Sequence, residues 1–185
     1  WRRSFGAGAT DILIGFFGRR SPEKGLATLL TAWPTIRGAF PSARLFVAGG
    51  DGSPVRPAPQ DIGIHFVPHQ DDIRPLLGAS DLIVVPSQRE AFGLVALEAL
   101  AAGKALVASR AGGLPELIQD GLTGRLVAPG DPVALAQAVI EALRDRPATQ
   151  EMAWRGQRDV QDRFAACCML ESVIALYRQI LTQDG

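Results

Sequence analysis

The chain has no charge bias. Lys and Arg together number 19, as do Asp and Glu, so the formal net charge is zero. A nucleic-acid binder ordinarily carries a clear basic excess, so that class of partner is not expected and any anion site must be local. Cysteine and histidine are both scarce. Cys167 and Cys168 are sequence neighbours and the only cysteines. Such a pair frames neither a disulfide scaffold nor a zinc site, and reads as reduced thiols of a cytoplasmic protein. His65 and His69 are the only histidines; neither completes a triad with a serine or cysteine, so a hydrolase of that type is not supported. No apolar run approaches the roughly 18 residues that a spanning helix requires. The start, Trp1-Arg2-Arg3-Ser4-Phe5-Gly6, lacks both an initiator methionine and the apolar core of a secretory signal, and residues 1–10 read as a linker. There is no internal repeat and no low-complexity tract.

What is present suits one soluble globular domain: 185 residues, 47% hydrophobic and 21% charged. Apolar runs alternate with helical patterns. The runs Ile12–Phe17, Arg44–Ala48, Ile62–Val67, Leu82–Val85, Ala105–Ala108 and Arg125–Val127 read as strands. Helical patterns fall at Pro22–Gly38, Asp72–Gly78, Gly93–Ala102 and Leu114–Gln119. Pro34 is expected to kink or end the first of these. Asp131 caps a further helix to about Leu143, and two more helical stretches, Gln150–Arg163 and Ala166–Leu181, complete the chain. Ser53–Gln60 is Pro-rich and reads as loop. The central strands are apolar throughout rather than alternating, as in strands buried on both faces of a helix-covered parallel sheet. The β-α-β order predicts an α/β fold, an open doubly wound, mainly parallel sheet of about six strands with C-terminal helices, and places ligands at the carboxyl ends of the strands.

Chemistry-bearing residues gather in those loops. Gly18-Arg19-Arg20-Ser21-Pro22-Glu23-Lys24-Gly25 leaves a buried strand and starts a helix at Pro22. Arg19 and Lys24 beside a helix N-terminus form a candidate phosphate site; the alternative is a solvated basic loop with an ion pair to Glu23. In the loop after the fourth strand, Glu90 precedes a helix and Glu98 lies about one and a half turns within it, among small and apolar residues. A carboxylate there needs a partner, and sugar hydroxyls or a neighbouring Arg or Lys would each serve. The helix start Phe92-Gly93-Leu94 offers free N–H groups to phosphate. Two glutamates eight apart, without nearby His or Asp, make a poor metal cage. Gly112 and Gly113 permit either close approach to a ligand or a tight turn. His65 reads as a core residue, and His69 as a base-pocket or plain loop residue.

In combination, GRRSPEKG at 18–25, ASDLIVVPSQREAFGLVALEALAAGKALVAS at 79–109 and AGGLPELIQDGLTGRLVAPGD at 111–131 resemble the C-terminal, donor-binding domain of retaining glycosyltransferases of the two-domain GT-B fold, family 4 (glycosyl transferases group 1). The resemblance covers Asp11 to Tyr177. It implies that Arg19 and Lys24 hold the diphosphate and stabilise the leaving nucleotide, and that Glu90 contacts the donor sugar. It further implies that Glu98 accepts from the ribose hydroxyls and that backbone at Phe92, Gly93, Leu94 and Val95 borders sugar and phosphates. Pro68 and His69 stand where the family often has glycine beside the base. The implied substrate is a nucleotide-diphosphate sugar, with no metal or other cofactor. The acceptor glycan, lipid or small molecule would be bound by an N-terminal domain that this chain lacks, so the chain alone is expected to be inactive. Peripheral membrane contact of the full-length enzyme is compatible with this scheme. The implied layout is a linker at 1–10, a nucleotide-sugar-binding domain at 11–163 and a helix at 164–185 returning toward the N-terminal domain. A non-catalytic nucleotide-sugar-binding module serving a partner chain is the alternative.

Overall fold

The computed structural model describes residues 1–8, 10–50 and 62–183; the Pro-rich stretch at 53–60 lies outside the described residues. Six strands, β1 (Leu13–Phe17), β2 (Arg44–Ala48), β3 (Ile64–Val67), β4 (Leu82–Val85), β5 (Ala105–Ser109) and β6 (Arg125–Val127), form one sheet in the order β3-β2-β1-β4-β5-β6. Every pairing is parallel, from Leu13 against Arg44 to Ser109 against Val127. Side chains of β1, β4 and β5 are buried along their whole length, as expected for strands covered on both faces. The chain reverses its direction of sheet growth between β1 and β4, and that reversal opens a crevice at the carboxyl ends.

Helices α1 (Leu26–Ala39), α2 (Arg74–Ala79), α3 (Leu94–Ala101), α4 (Leu114–Leu117), α5 (Pro132–Arg144), α6 (Arg146–Phe164) and α7 (Ala166–Gln183) follow the strands. On one face α1 and α5 bury Leu29, Trp33, Ile36, Leu135 and Val139 against Ile14, Phe16, Val47 and Val84. Full burial of a side chain such as Leu29 or Ile36 contributes roughly 1.5–3 kcal/mol. On the other face α2, α3 and α4 cover Leu13, Phe46, Ile83 and Leu106. Gly15 is what makes room there, because a Cβ at that point would stand 2.7 Å from the Phe46 ring.

The first helical pattern divides. Pro22–Lys24 forms a single 3-10 turn, Gly25 adopts φ +70°, and α1 begins only at Leu26. Pro34 does not end α1, which runs on to Ala39. Asp131 caps α5 by accepting from the Val133 and Ala134 N–H groups, and Asp145 caps α6 through Ala148 N–H.

Residues 1–8 dock onto the domain. Phe5 is buried and stacks on Phe46 at 5.2 Å, while the Arg2 guanidinium donates to Asp81 and to the Ala79 carbonyl, each at 2.9 Å. The Asp81 carboxylate also accepts from Leu13 N–H at 2.7 Å, tying this segment to the start of β1.

The other end projects. Met169, Leu170, Leu176, Tyr177 and Leu181 of α7 are each more than half exposed, so this apolar stripe does not dock on the chain's own sheet. The expectation that no run reaches spanning length needs correction. Within Arg146–Leu181 an 18-residue window has a mean hydropathy of 1.4 and none of it is buried, enough by length and composition alone to cross a membrane. Glu171 and Arg178 break the sequence run, but they lie seven residues apart, about two turns, and share one face of the helix.

Candidate functional site

The loops at the reversal point meet backbone to backbone. After β1, Gly18 donates its N–H to Ala48 O at 3.0 Å, and a Cβ on Gly49 would stand 2.6 Å from Gly18 O. Glu23 O accepts from Gln88 N–H at 2.7 Å and from Arg89 N–H at 3.3 Å, which straps the β1 loop to the β4 loop. Gly25 makes the strap possible, since a Cβ there would overlap the Pro86 carbonyl. The β5 loop closes on the same point: Gly113 N–H donates to Glu90 O at 3.2 Å, and a Cβ on Gly112 would overlap that oxygen. The paired glycines therefore serve contact with the Glu90 backbone.

A cavity of about 350 Å³ opens in this crevice, lined among others by Arg19, Gly49, His69, Leu94, Val95 and Glu98. A groove of about 790 Å³ between α2 and α3 adjoins it, sharing Asp71, Ile73 and Glu98. Arg19 is exposed, whereas Arg20 lays its guanidinium over the Phe66 ring at 5.3 Å. α3 begins at Leu94 after Gly93 with no side-chain cap, so its first N–H groups and the positive end of its dipole are left for a ligand.

The two glutamates have different surroundings. The Glu98 carboxylate has no ion pair or hydrogen bond among the described residues, and partial burial alone raises its pKa above the ordinary carboxyl value. No Arg or Lys among the described residues pairs with it. Glu90 Oε2 accepts from Lys24 Nζ at 2.7 Å and from Ser87 Oγ at 3.1 Å, with its side chain 11% exposed. Lys24 accordingly pairs with Glu90 rather than with Glu23.

Of the residues singled out from sequence, Arg19, His69, Leu94, Val95 and Glu98 share the cavity wall. Lys24 and Glu90 lie beside it: the Lys24 stem comes within 3.8 Å of where a Cβ on Gly18, a wall residue, would stand. Phe92 does not line it. It is 44% exposed, with its ring 6.1 Å from that of Phe164. Gly93 is spent on packing, with φ +96° and room for a Cβ only 2.7 Å from Leu114. Pro68 is exposed off the wall, while His69 sits on it with Nε2 3.6 Å from Asp71. His65 lies on β3 with its ring against Phe5, and burial holds its pKa below the usual imidazole value. The sequence reading missed Gly49, Gly50, Gln70, Asp71 and Ile73 of the wall. The rule that ligands sit at strand carboxyl ends pointed to Gly49-Gly50 after β2; nothing local marked Ile73.

The family model for glycosyl transferases group 1 matches residues 11–145. The chain belongs to that family. It is similar to N-acetyl-alpha-D-glucosaminyl L-malate synthase of Bacillus anthracis, 36% identical over 119 residues, covering 64% of this chain and 31% of that protein. It is 32% identical to D-inositol 3-phosphate glycosyltransferase of Saccharomonospora viridis, over 97% of this chain and 46% of the relative. This glycosyltransferase-family chain therefore spans less than half the length of these curated relatives. Among solved structures, Anabaena HepE in complex with UDP-glucose superposes with a TM-score of 0.83 at 27% identity, covering 96% of this chain and 51% of HepE. The C-terminal domain of the group 1 glycosyl transferase LpcC from Francisella tularensis matches with a TM-score of 0.73 at 27% identity, covering 84% of this chain and 87% of that domain. The fold is that of the C-terminal half of a GT-B glycosyltransferase.

Proposed function

We propose that this chain binds a nucleotide-diphosphate sugar and serves as the donor half of a retaining glycosyltransferase. The observation that carries the reading is the cavity where Arg19, the uncapped start of α3 and a Glu98 carboxylate with no partner among the described residues converge, with the Lys24–Glu90 pair alongside. Cations and free N–H groups suit a diphosphate, and a carboxylate that no described residue pairs with suits vicinal ribose hydroxyls. That HepE was solved with UDP-glucose supports the same class of ligand.

In this scheme Arg19, Lys24 and the Leu94 and Val95 N–H groups bind the diphosphate and stabilise the charge that develops on it as the glycosidic bond breaks. One such preorganised donor is worth on the order of 10²–10³ in rate. Lys24 and Arg19 then supply the fixed positive charge that a divalent ion supplies elsewhere. Glu98 holds the ribose, His69 stands near the base, and Glu90 faces the sugar. The acceptor, a glycan, a lipid or a small molecule, would be presented by a second domain, and this chain by itself would transfer nothing.

Calorimetric titration of this chain with UDP, GDP and ADP and their glucose derivatives tests the proposal. One nucleotide is expected to bind at micromolar to submillimolar concentration. Absence of binding for all of them at millimolar concentration would refute it.

A further inference from the structure

Ser87 stands at the exit of β4 and drew no attention in the sequence, yet it is 1% exposed and turns its hydroxyl to Glu90. A serine has a single O–H to donate, and this one is given to Glu90 Oε2 at 3.1 Å. Lys24 Nζ donates to that same oxygen at 2.7 Å. No hydrogen bond from a described residue reaches the second oxygen, Oε1. Among the described residues the carboxylate is therefore gripped through one oxygen only.

The two grips differ in permanence. Lys24 carries its ammonium on a four-carbon stem, is a quarter exposed, and is the cation assigned to the diphosphate. Ser87 has no such freedom. It follows the buried strand β4, and a Cβ on Gly25, against which its backbone packs, would stand 3.4 Å from its amide nitrogen. When Lys24 turns to a phosphate oxygen, Ser87 is the donor that stays. We propose that Ser87 is a positioning residue, whose hydroxyl fixes Glu90 through Oε2 so that Oε1 is presented to a hydroxyl of the transferred sugar. The proposal rests on the donor reading given above and adds to it the device that aims the sugar-binding carboxylate.

A hydrogen bond to a charged acceptor is worth about tenfold or more in an equilibrium constant. The test titrates this chain by calorimetry with UDP and with UDP-glucose, comparing wild type, Ser87→Ala, Glu90→Gln, the double variant and Ser87→Thr. If the wild type binds GDP or ADP more tightly, that nucleotide and its glucose derivative are the probes. The quantity read is the ratio of sugar-nucleotide to nucleotide affinity. Ser87→Ala is expected to lower this ratio about tenfold while leaving nucleotide affinity within about twofold, Ser87→Thr to restore it, and the double variant to fall no further than Glu90→Gln. An unchanged ratio in Ser87→Ala overturns the proposal. So does equal weakening of both ligands, which marks a purely structural role, and so does a double variant whose two losses multiply. Urea denaturation of each variant identifies any loss that comes from unfolding. If the wild type binds no nucleotide and no sugar nucleotide, the donor reading itself falls, and the Ser87 assignment with it.

Discussion

The loop strap at the site predicts an asymmetry between two glycines that share a backbone conformation. Gly25 and Gly130 have φ of +70° and +74°, so alanine at either incurs the left-handed penalty of roughly 1–2 kcal/mol. About 0.4–1 kcal/mol of that is offset, because alanine also restricts the unfolded chain. At Gly130 nothing lies within 4 Å of the added methyl, and the net loss should be no more than about 1.6 kcal/mol. At Gly25 the methyl would overlap the Pro86 carbonyl, so the β1 and β4 loops must separate. Overpacking of that kind costs about 1–3 kcal/mol, and loss of the Gln88 N–H bond to Glu23 O adds roughly 0.5–1.5 kcal/mol. Gly25→Ala should therefore be less stable than Gly130→Ala by about 2–4 kcal/mol, which in urea is a midpoint difference on the order of 1 M. Equilibrium denaturation followed by far-ultraviolet circular dichroism measures both variants. Because Gly25 adjoins Lys24 and backs onto the Glu90 loop, nucleotide affinity should fall in Gly25→Ala and stay at the wild-type level in Gly130→Ala. Equal stability of the two variants would refute the claim that close loop approach, rather than φ alone, requires glycine at position 25.

Arg19→Ala and Lys24→Ala should each weaken UDP binding at least about tenfold and uridine binding less than about twofold; equal weakening of both ligands by calorimetry removes the phosphate role. Glu98→Gln should raise the thermal midpoint at pH 7.5 while weakening nucleotide binding. Burial raises the folded-state pKa of Glu98 above its ordinary value of 4.5, so its stabilising contribution is complete below that pH and is lost as pH rises through the folded value. The amide escapes that loss, though the exposure of Glu98 keeps the gain below about 1 kcal/mol, and the two proteins should converge below pH 4.5. A lower midpoint for Glu98→Gln at pH 7.5 contradicts the assignment. Removal of residues 166–185 should change stability by less than about 0.5 kcal/mol, because the side chains described at 166–181 add little to the core. Sedimentation should show self-association that depends on the exposed stripe; monomeric behaviour of both forms would mean that the stripe drives no association.

Much of the fold is legible in the residues because its signals are local. Continuous apolar runs such as Leu82–Val85 report burial on both faces, and Asp131 before Pro132 marks the start of α5 through its own cap. The site candidates were likewise visible: Arg19 and Lys24 as cations beside a helix start, Glu90 as a carboxylate just before a helix, and Glu98 as a carboxylate among small and apolar residues. What the sequence by itself determined was which loops gather the charged and polar residues. Only the tertiary structure decided how they meet. The order β3-β2-β1-β4-β5-β6 brings residue 24 to residue 90 and residue 113 to residue 90, pairings that no local spacing encodes. It separated Glu98, whose carboxylate has no partner among the described residues, from Glu90, held by Lys24 and Ser87, although both are glutamates in one motif. It also showed why Gly25 and Gly112 are glycines, because the reason lies in backbone carbonyls of Pro86 and Glu90 far along the chain. Side-chain identity is a property of one position, whereas a hydrogen bond or an overlap depends on the distance between two, and that distance is set by the packing of the whole sheet.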